Sequence, residues 1–325
     1  MPPSAGTSLK PVKRMPLAKT LPKIGSPDFT RDLDLSQDEL LALLDLTQQV
    51  KSNPARFARA LSGRYLSLLF EKPSLRTRMT FELAIKQLGG DAVVSVGPIG
   101  DREPVKDVAR NLDRWTNAIV ARTFSHQTIE DLAHWSSVPV INALSHRYHP
   151  CQALADIFTL QEKFCDLRDR KLAFVGDGNN VAHSLMLTAL RMGMNFSIAT
   201  PRGYEPDAEI IAQAEALAAV SGAQLVVNNN PVEAVQNAHA VYTDVWTSMG
   251  QENEESKRLS DFAEYQVNAG LFGEASADAV FLHCLPAKRG EEVTDEVIEC
   301  GQSVVFDQAE NRLHVQKALL LMLIG

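Results

Sequence analysis

Cysteine is scarce in this chain: four residues, at positions 151, 165, 284 and 300, with no CxxC pair. That count excludes a disulfide-built secreted scaffold, and the thiols read as free side chains in a reducing cytoplasm. Long apolar runs are missing too. The closing ALLLMLI falls far short of the roughly 20 residues that a membrane span requires. No membrane partner is expected. An excess of basic charge is also absent, because 32 Lys and Arg stand against 40 Asp and Glu. A nucleic-acid-binding face usually has the opposite balance, so nucleic acid is not an expected partner. What remains is 45% hydrophobic and 22% charged, which rules out disorder for the chain as a whole. Its 325 residues suit two domains of roughly 150 each.

Acidic residues are missing from the first 27 positions, which hold six prolines and five Lys or Arg. Such a stretch buries little and reads as a mobile tail over 1–27. A transit peptide would also lack acids, but six prolines oppose an amphipathic helix, and four of the five cations are lysine. Ser36 followed by Glu39 fits a capping box, with leucines at helical spacing behind it.

From there, short apolar runs alternate with helical patterns. RYLSLLF, DAVVSV, NAIVART and VPVINAL fill the first half; KLAFVGD, NFSIAT, AQLVVN, AVYTDV and AVFLHCLP fill the second. Strands buried on both faces and separated by helices predict parallel sheets. The expected fold is α/β with two lobes, hinged near CDLRDRKL at 165–172.

Ligands of open α/β sheets bind at the carboxyl ends of strands, so those loops carry the chemistry. After RYLSLLF, a helix begins within Ser74, Leu75, Arg76 and Thr77, where hydroxyls, a guanidinium and free N–H groups would form an anion site. The plainer reading is that Ser74 only caps the helix; Arg78 can pair with Glu82 four residues on. NAIVART ends at Arg122. HRYHPCQ brings His149 and Gln152, a donor for an oxyanion and an amide able to pair with another amide. Zinc held by His146, His149 and Cys151 is the rival there, but the spacing matches no familiar ligand set.

KLAFVGDGNN has Gly176 and Gly178 of a dinucleotide fingerprint, but Val181 replaces the third glycine. The next strand also ends without the ribose-binding acid, so NAD fits poorly. Asn179 and Asn180 instead offer neutral polar groups to a zwitterion. Asp244 stands at a strand end before Ser248, Met249, Glu252, Glu254 and Glu255, with no Lys or Arg until Lys257. This loop is suited to a cation. Cys284 and Leu285 end another strand, where a buried inert cysteine is the default. Arg312 is expected near the first turn of the last helix, where a cation opposes the helix dipole and needs a partner.

PSLRTR, ART, HPCQ, GDGNN, DVWTSMG, HCLP and ENR, in this order, closely resemble the transcarbamoylase family, from about Asp32 to the C-terminus. DVWTSMG with HCLP is more particular to members whose acceptor is ornithine. The resemblance implies one lobe for carbamoyl phosphate, 28–165 plus 310–325, and one for L-ornithine, 166–309, with the last helix returning to the first lobe. It also implies a homotrimer without cofactor or metal, acting in arginine metabolism, with biosynthesis favoured over breakdown although the sequence does not separate the two. A sibling transcarbamoylase acting on acylated ornithine or putrescine is the alternative. By resemblance, Ser74, Leu75, Arg76, Thr77 and Arg122 hold the phosphate, and Thr77, Arg122 and His149 face the carbonyl oxygen. Gln152, Cys284, Leu285 and Arg312 would fix the carbamoyl group. Asn180, Asp244, Ser248 and Met249 would bind ornithine, with Cys284 near the reacting amine; Arg122, His149 and Cys284 are the catalytic candidates. Pro98 stands where many relatives carry a glutamine that contacts carbamoyl phosphate.

Overall fold

A computed structural model describes residues 21–248 and 252–325. The nine apolar runs become β1 Tyr65–Phe70, β2 Asp91–Val96, β3 Ala118–Arg122, β4 Val140–Leu144, β5 Lys171–Val175, β6 Asn195–Ala199, β7 Leu225–Asn228, β8 Ala240–Tyr242 and β9 Val280–Leu282. Every pairing is parallel, in two sheets ordered β2-β1-β3-β4 and β7-β6-β5-β8-β9. Each order reverses at one point, between β1 and β3 in the first sheet and between β5 and β8 in the second. Those switch points open crevices at the strands' carboxyl ends.

Ser36 caps the helix Gln37–Ser52 as expected: its Oγ accepts from the Glu39 N–H, and Glu39 Oε2 accepts from the Ser36 N–H at 2.7 Å. The closing helix Val305–Ile324 packs on the first-lobe helices Gln37–Ser52, Leu75–Gln87 and Pro150–Phe164. Its ALLLMLI run is almost wholly buried, from Ala318 to Met322. Each such leucine contributes roughly 1.5–3 kcal/mol by leaving water. Among the described residues no helix is long and apolar enough to cross a membrane. Of the tail, residues 1–20 lie outside the described residues, while Leu21 and Ile24 pack against the core.

The lobes are joined by the helix Asn180–Arg191, which packs on Pro150–Phe164, and by a buried polar clasp. Ser184 Oγ donates to Asp32 Oδ2 at 2.6 Å, and Arg191 Nη1 donates to the Asp32 carbonyl at 2.8 Å. Burial pushes the Asp32 carboxyl from 3.8 to about 7, against the lowering effect of Ser184, Thr188 and Arg191. Folded Asp32 therefore holds its proton more tightly than unfolded Asp32. The associated stability is fully present below about 4 and is lost as pH rises through about 7. The stability of the parent minus that of Asp32→Asn should accordingly fall between pH 5 and pH 8 in denaturant titrations. A difference independent of pH would refute this linkage.

Candidate active site

The two crevices face one another across a cavity of about 430 Å³. From the first lobe it is lined by Ser74, Leu75, Arg76 and Thr77 after β1, Arg122 at the end of β3, His149 and Arg312. From the second come Asn180 after β5, Asp244 and Ser248 after β8, and Cys284 and Leu285 after β9. Residues as far apart as 74 and 312 thus meet, because parallel strands deliver their carboxyl ends to one edge and the closing helix returns beside them. Of the described site residues expected at the cavity, Gln152 does not line it: it is fully buried behind the wall, one turn beyond His149. Met249 lies outside the described residues.

The first-lobe side is cationic. Ser74 is the N-cap of Leu75–Gln87, but its side chain makes no capping bond, which leaves the plainer reading of that residue unsupported. Arg78 does pair with Glu82, Nε to Oε1 at 2.8 Å, and is occupied on the outer face. Among the described residues none of the Arg76, Arg122 and Arg312 guanidiniums has a carboxylate within 4.0 Å. Arg312 Nη2 donates to Thr77 Oγ1 at 2.6 Å, while Nε of both Arg122 and Arg312 is buried without a partner. Burial, then the neighbouring Arg312, lowers Arg122 to about 10. Burial and the same two arginines hold His149 well below the ordinary histidine range, so it is neutral. Buried cations without a carboxylate partner, such as Arg122 and Arg312, are costly, and this suits the pocket to an anionic guest.

The opposite wall is different. Cys284 Sγ donates to Asp244 Oδ1 at 3.1 Å, and Asp244 Oδ2 accepts from Asn179 Nδ2 at 2.9 Å. Burial, then the Asp244 charge, pushes the Cys284 thiol well above its usual range, so it remains protonated. Asn180 Nδ2 donates to the Ser145 carbonyl at 2.6 Å, tying the second lobe to the first at the cavity rim. Leu285 takes φ +57, uncommon for a side chain, and its N–H is held by His283 Nδ1 at 2.9 Å.

Several readings of the sequence need correction. Arg312 is two turns into its helix, because the helix starts at Val305, so the dipole argument does not apply. The acids after Asp244 do not all await a substrate. Glu254 pairs with Arg258 at 3.0 Å and Glu255 with Lys288 at 2.8 Å. Lys288 and Lys72 both line the cavity and were missed. Lys72 stood in plain view at a strand end, whereas Lys288 lies beyond HCLP and gave no local signal. In the rival zinc set, His146 Nδ1 accepts from the His126 N–H and Cys151 Sγ donates to the Asn142 carbonyl. At Gly178 a Cβ would come within 2.3 Å of the Pro206 nitrogen, so this glycine admits a crossing loop where a dinucleotide fingerprint would cradle pyrophosphate.

Two parallel lobes whose switch points share one cavity, cationic on one side and acidic on the other, are an architecture suited to an enzyme that brings two small molecules together. Comparison with known proteins is specific. Residues 27–162 match the carbamoyl-P binding domain and residues 168–323 the Asp/Orn binding domain of aspartate/ornithine carbamoyltransferases. The chain belongs to the aspartate/ornithine carbamoyltransferase family. An ornithine carbamoyltransferase of Listeria innocua is 50% identical over 297 residues, covering 90% of this chain and 94% of that protein. The solved ornithine carbamoyltransferase of Pyrococcus furiosus superposes with a TM-score of 0.91 at 45% identity, covering 93% and 98%. An acetylornithine transcarbamylase solved with acetylcitrulline is more distant, at 33% identity and a TM-score of 0.83 over 92% and 99%.

Proposed function

We propose that the protein transfers the carbamoyl group of carbamoyl phosphate to the side-chain amine of L-ornithine, giving L-citrulline and phosphate. The observation that carries this reading is the pairing of three uncompensated guanidiniums with an Asp244–Cys284 wall across one cavity. Ser74, Leu75, Arg76, Thr77 and Arg122 receive the phosphate, at a helix N-terminus suited to it. Arg122, neutral His149 and Thr77 face the carbonyl oxygen. Gln152, Arg312 and the chain at Cys284 and Leu285 hold the carbamoyl amide. Asp244 takes the α-ammonium of ornithine, with Asn180, Ser248 and Met249 at its carboxylate and Cys284 near the reacting nitrogen.

The neutral amine forms a bond to the carbonyl carbon, and the oxygen becomes an oxyanion met by Arg122 and His149. Collapse breaks the bond between the carbonyl carbon and the bridging phosphate oxygen, phosphate leaves with the electron pair, and the proton lost by the nitrogen passes to the departing phosphate. Catalysis rests on positioning and on donors already aimed at developing charge.

Citrulline formation from carbamoyl phosphate and ornithine tests the reading, and no product above the uncatalysed background would refute it. Arg76→Ala should weaken carbamoyl phosphate binding by about 1.5–3 kcal/mol, the scale of a charged hydrogen bond, with circular dichroism unchanged. Unaltered affinity in calorimetry would remove Arg76 from the phosphate site.

The catalytic unit is a cytoplasmic homotrimer in this proposal. Support comes from Leu75, Met79 and Leu83, exposed along one helix face, and from Val93 and Val96 on the edge strand β2. Such an edge needs covering; a monomeric mass in light scattering would count against it. Assignment to arginine biosynthesis is supported by a solved anabolic ornithine carbamoyltransferase of Campylobacter jejuni at 39% identity. Arginine-independent growth of a strain lacking the enzyme would contradict that role.

A further inference from the structure

Behind the cavity wall lies a buried polar cluster of which the proposed reaction uses Gln152 but gives no part to Asp156 or Gln308. Asp156, fully buried in the helix Pro150–Phe164, receives two side-chain amides on a single oxygen. Gln152 Nε2 donates to its Oδ1 at 2.8 Å and Gln308 Nε2 donates to the same atom at 2.6 Å. Gln308 Nε2 also reaches the Tyr242 hydroxyl at 3.1 Å, and its Oε1 accepts from the His283 N–H at 3.0 Å. Gln152 Oε1, by contrast, is buried with no partner.

An amide side chain has two chemically opposite ends, and which end faces which way must be set by its neighbours. Asp156 Oδ1 is the acceptor that both amides meet, so it draws the NH₂ ends of both glutamines toward itself. Both carbonyl ends must then point away. For Gln308 that end fixes the backbone at His283, directly before Cys284 and Leu285 on the cavity wall. For Gln152 it leaves an unsatisfied acceptor one turn from His149. A buried unpaired acceptor costs about 1–3 kcal/mol, which a bound donor would recover. The rest of the carbamoyl end is cationic or neutral, and the substrate's own NH₂ needs acceptors.

We propose that Asp156 is the positioning residue for carbamoyl recognition, setting Gln152 to accept from the substrate NH₂ and, through Gln308, setting the Cys284–Leu285 wall. This rests on the reaction proposed above. It also explains how a site built around an anion separates carbamoyl phosphate from bare phosphate, which shares every cationic contact but has no NH₂.

The test compares the full-length parent with Asp156→Leu and Asp156→Asn. Michaelis constants for carbamoyl phosphate come from citrulline formation, and the affinity of inorganic phosphate comes from calorimetry. Asp156→Leu, which removes the shared acceptor, should raise the Michaelis constant for carbamoyl phosphate about ten- to a hundredfold, the scale of one or two buried hydrogen bonds. Phosphate affinity should change less than about threefold on the same scale. Asp156→Asn retains one oxygen and should recover most of the loss. Equal weakening of both ligands, or no weakening of either, would overturn the proposal, as would an asparagine variant no better than leucine. If Asp156→Leu does not fold, Gln308→Met should show the same split between the two ligands, and its absence there is equally fatal. A parent that makes no citrulline would instead fault the reaction itself, which separates the two failures.

Discussion

Arg122→Met should reduce turnover by about 10²–10³-fold, the usual cost of one donor aimed at a developing oxyanion. The side chain ends β3 at the switch point of the first sheet, is 9% exposed, and keeps its Nε unpaired. Desolvation and the nearby Arg312 already lower its pKa to about 10, so the protein bears a standing cost to keep this charge in place. Removing it should therefore leave thermal stability unchanged or raise it, because methionine fills similar space and ends the repulsion among the cations. Lost turnover together with retained or increased melting temperature is the signature of a catalytic charge. A variant that kept more than a tenth of the parent's turnover would exclude Arg122 from that role. One that lost activity by unfolding would show the residue to be structural.

Asp244→Asn should cut ornithine turnover at least ten- to a hundredfold, the range expected when a charged buried partner is lost. The carboxylate accepts from the Cys284 thiol on one oxygen and from Asn179 on the other, so both oxygens have fixed jobs before any ligand binds. Asparagine can keep only one of those bonds without opposing NH₂ against a donor. Its charge toward the α-ammonium is gone as well. An N-acylated ornithine carries no positive charge at that nitrogen, so it should be a poor substrate for the parent and lose far less in the variant. The measurement is the ratio of kcat/KM for ornithine to that for N-acetylornithine, in both proteins. If the parent prefers the acetylated substrate, or if the ratio survives the substitution, the assignment of Asp244 fails. The acetylornithine relative at 33% identity then becomes the better guide.

The sequence alone determined the nine strands, their parallel arrangement in two lobes and most of the residues at the cavity. These features are local. A short run buried on both faces must be apolar along its whole length, and a parallel strand must deliver its reactive residues at the carboxyl end. That is why Arg76, Arg122, Asn180, Asp244 and Cys284 could be picked out from their place after each run. Tertiary structure decided what depends on distant partners. Arg312 meets Thr77 across 235 positions because its helix returns to the first lobe, and no periodicity encodes that contact. Glu255 read as part of a loop suited to a cation because Lys288, which pairs with it, comes from the loop after β9, 33 positions on, whereas the Glu254–Arg258 pair at i,i+4 was within reach of the sequence. Gln152 reads as a wall residue from spacing alone, but only the fold shows it set back, its amide on Asp156 one turn on, where Gln308 arrives from 152 positions away to share the same oxygen. Burial against distant chain decides charge state and side-chain orientation, and a linear pattern carries neither.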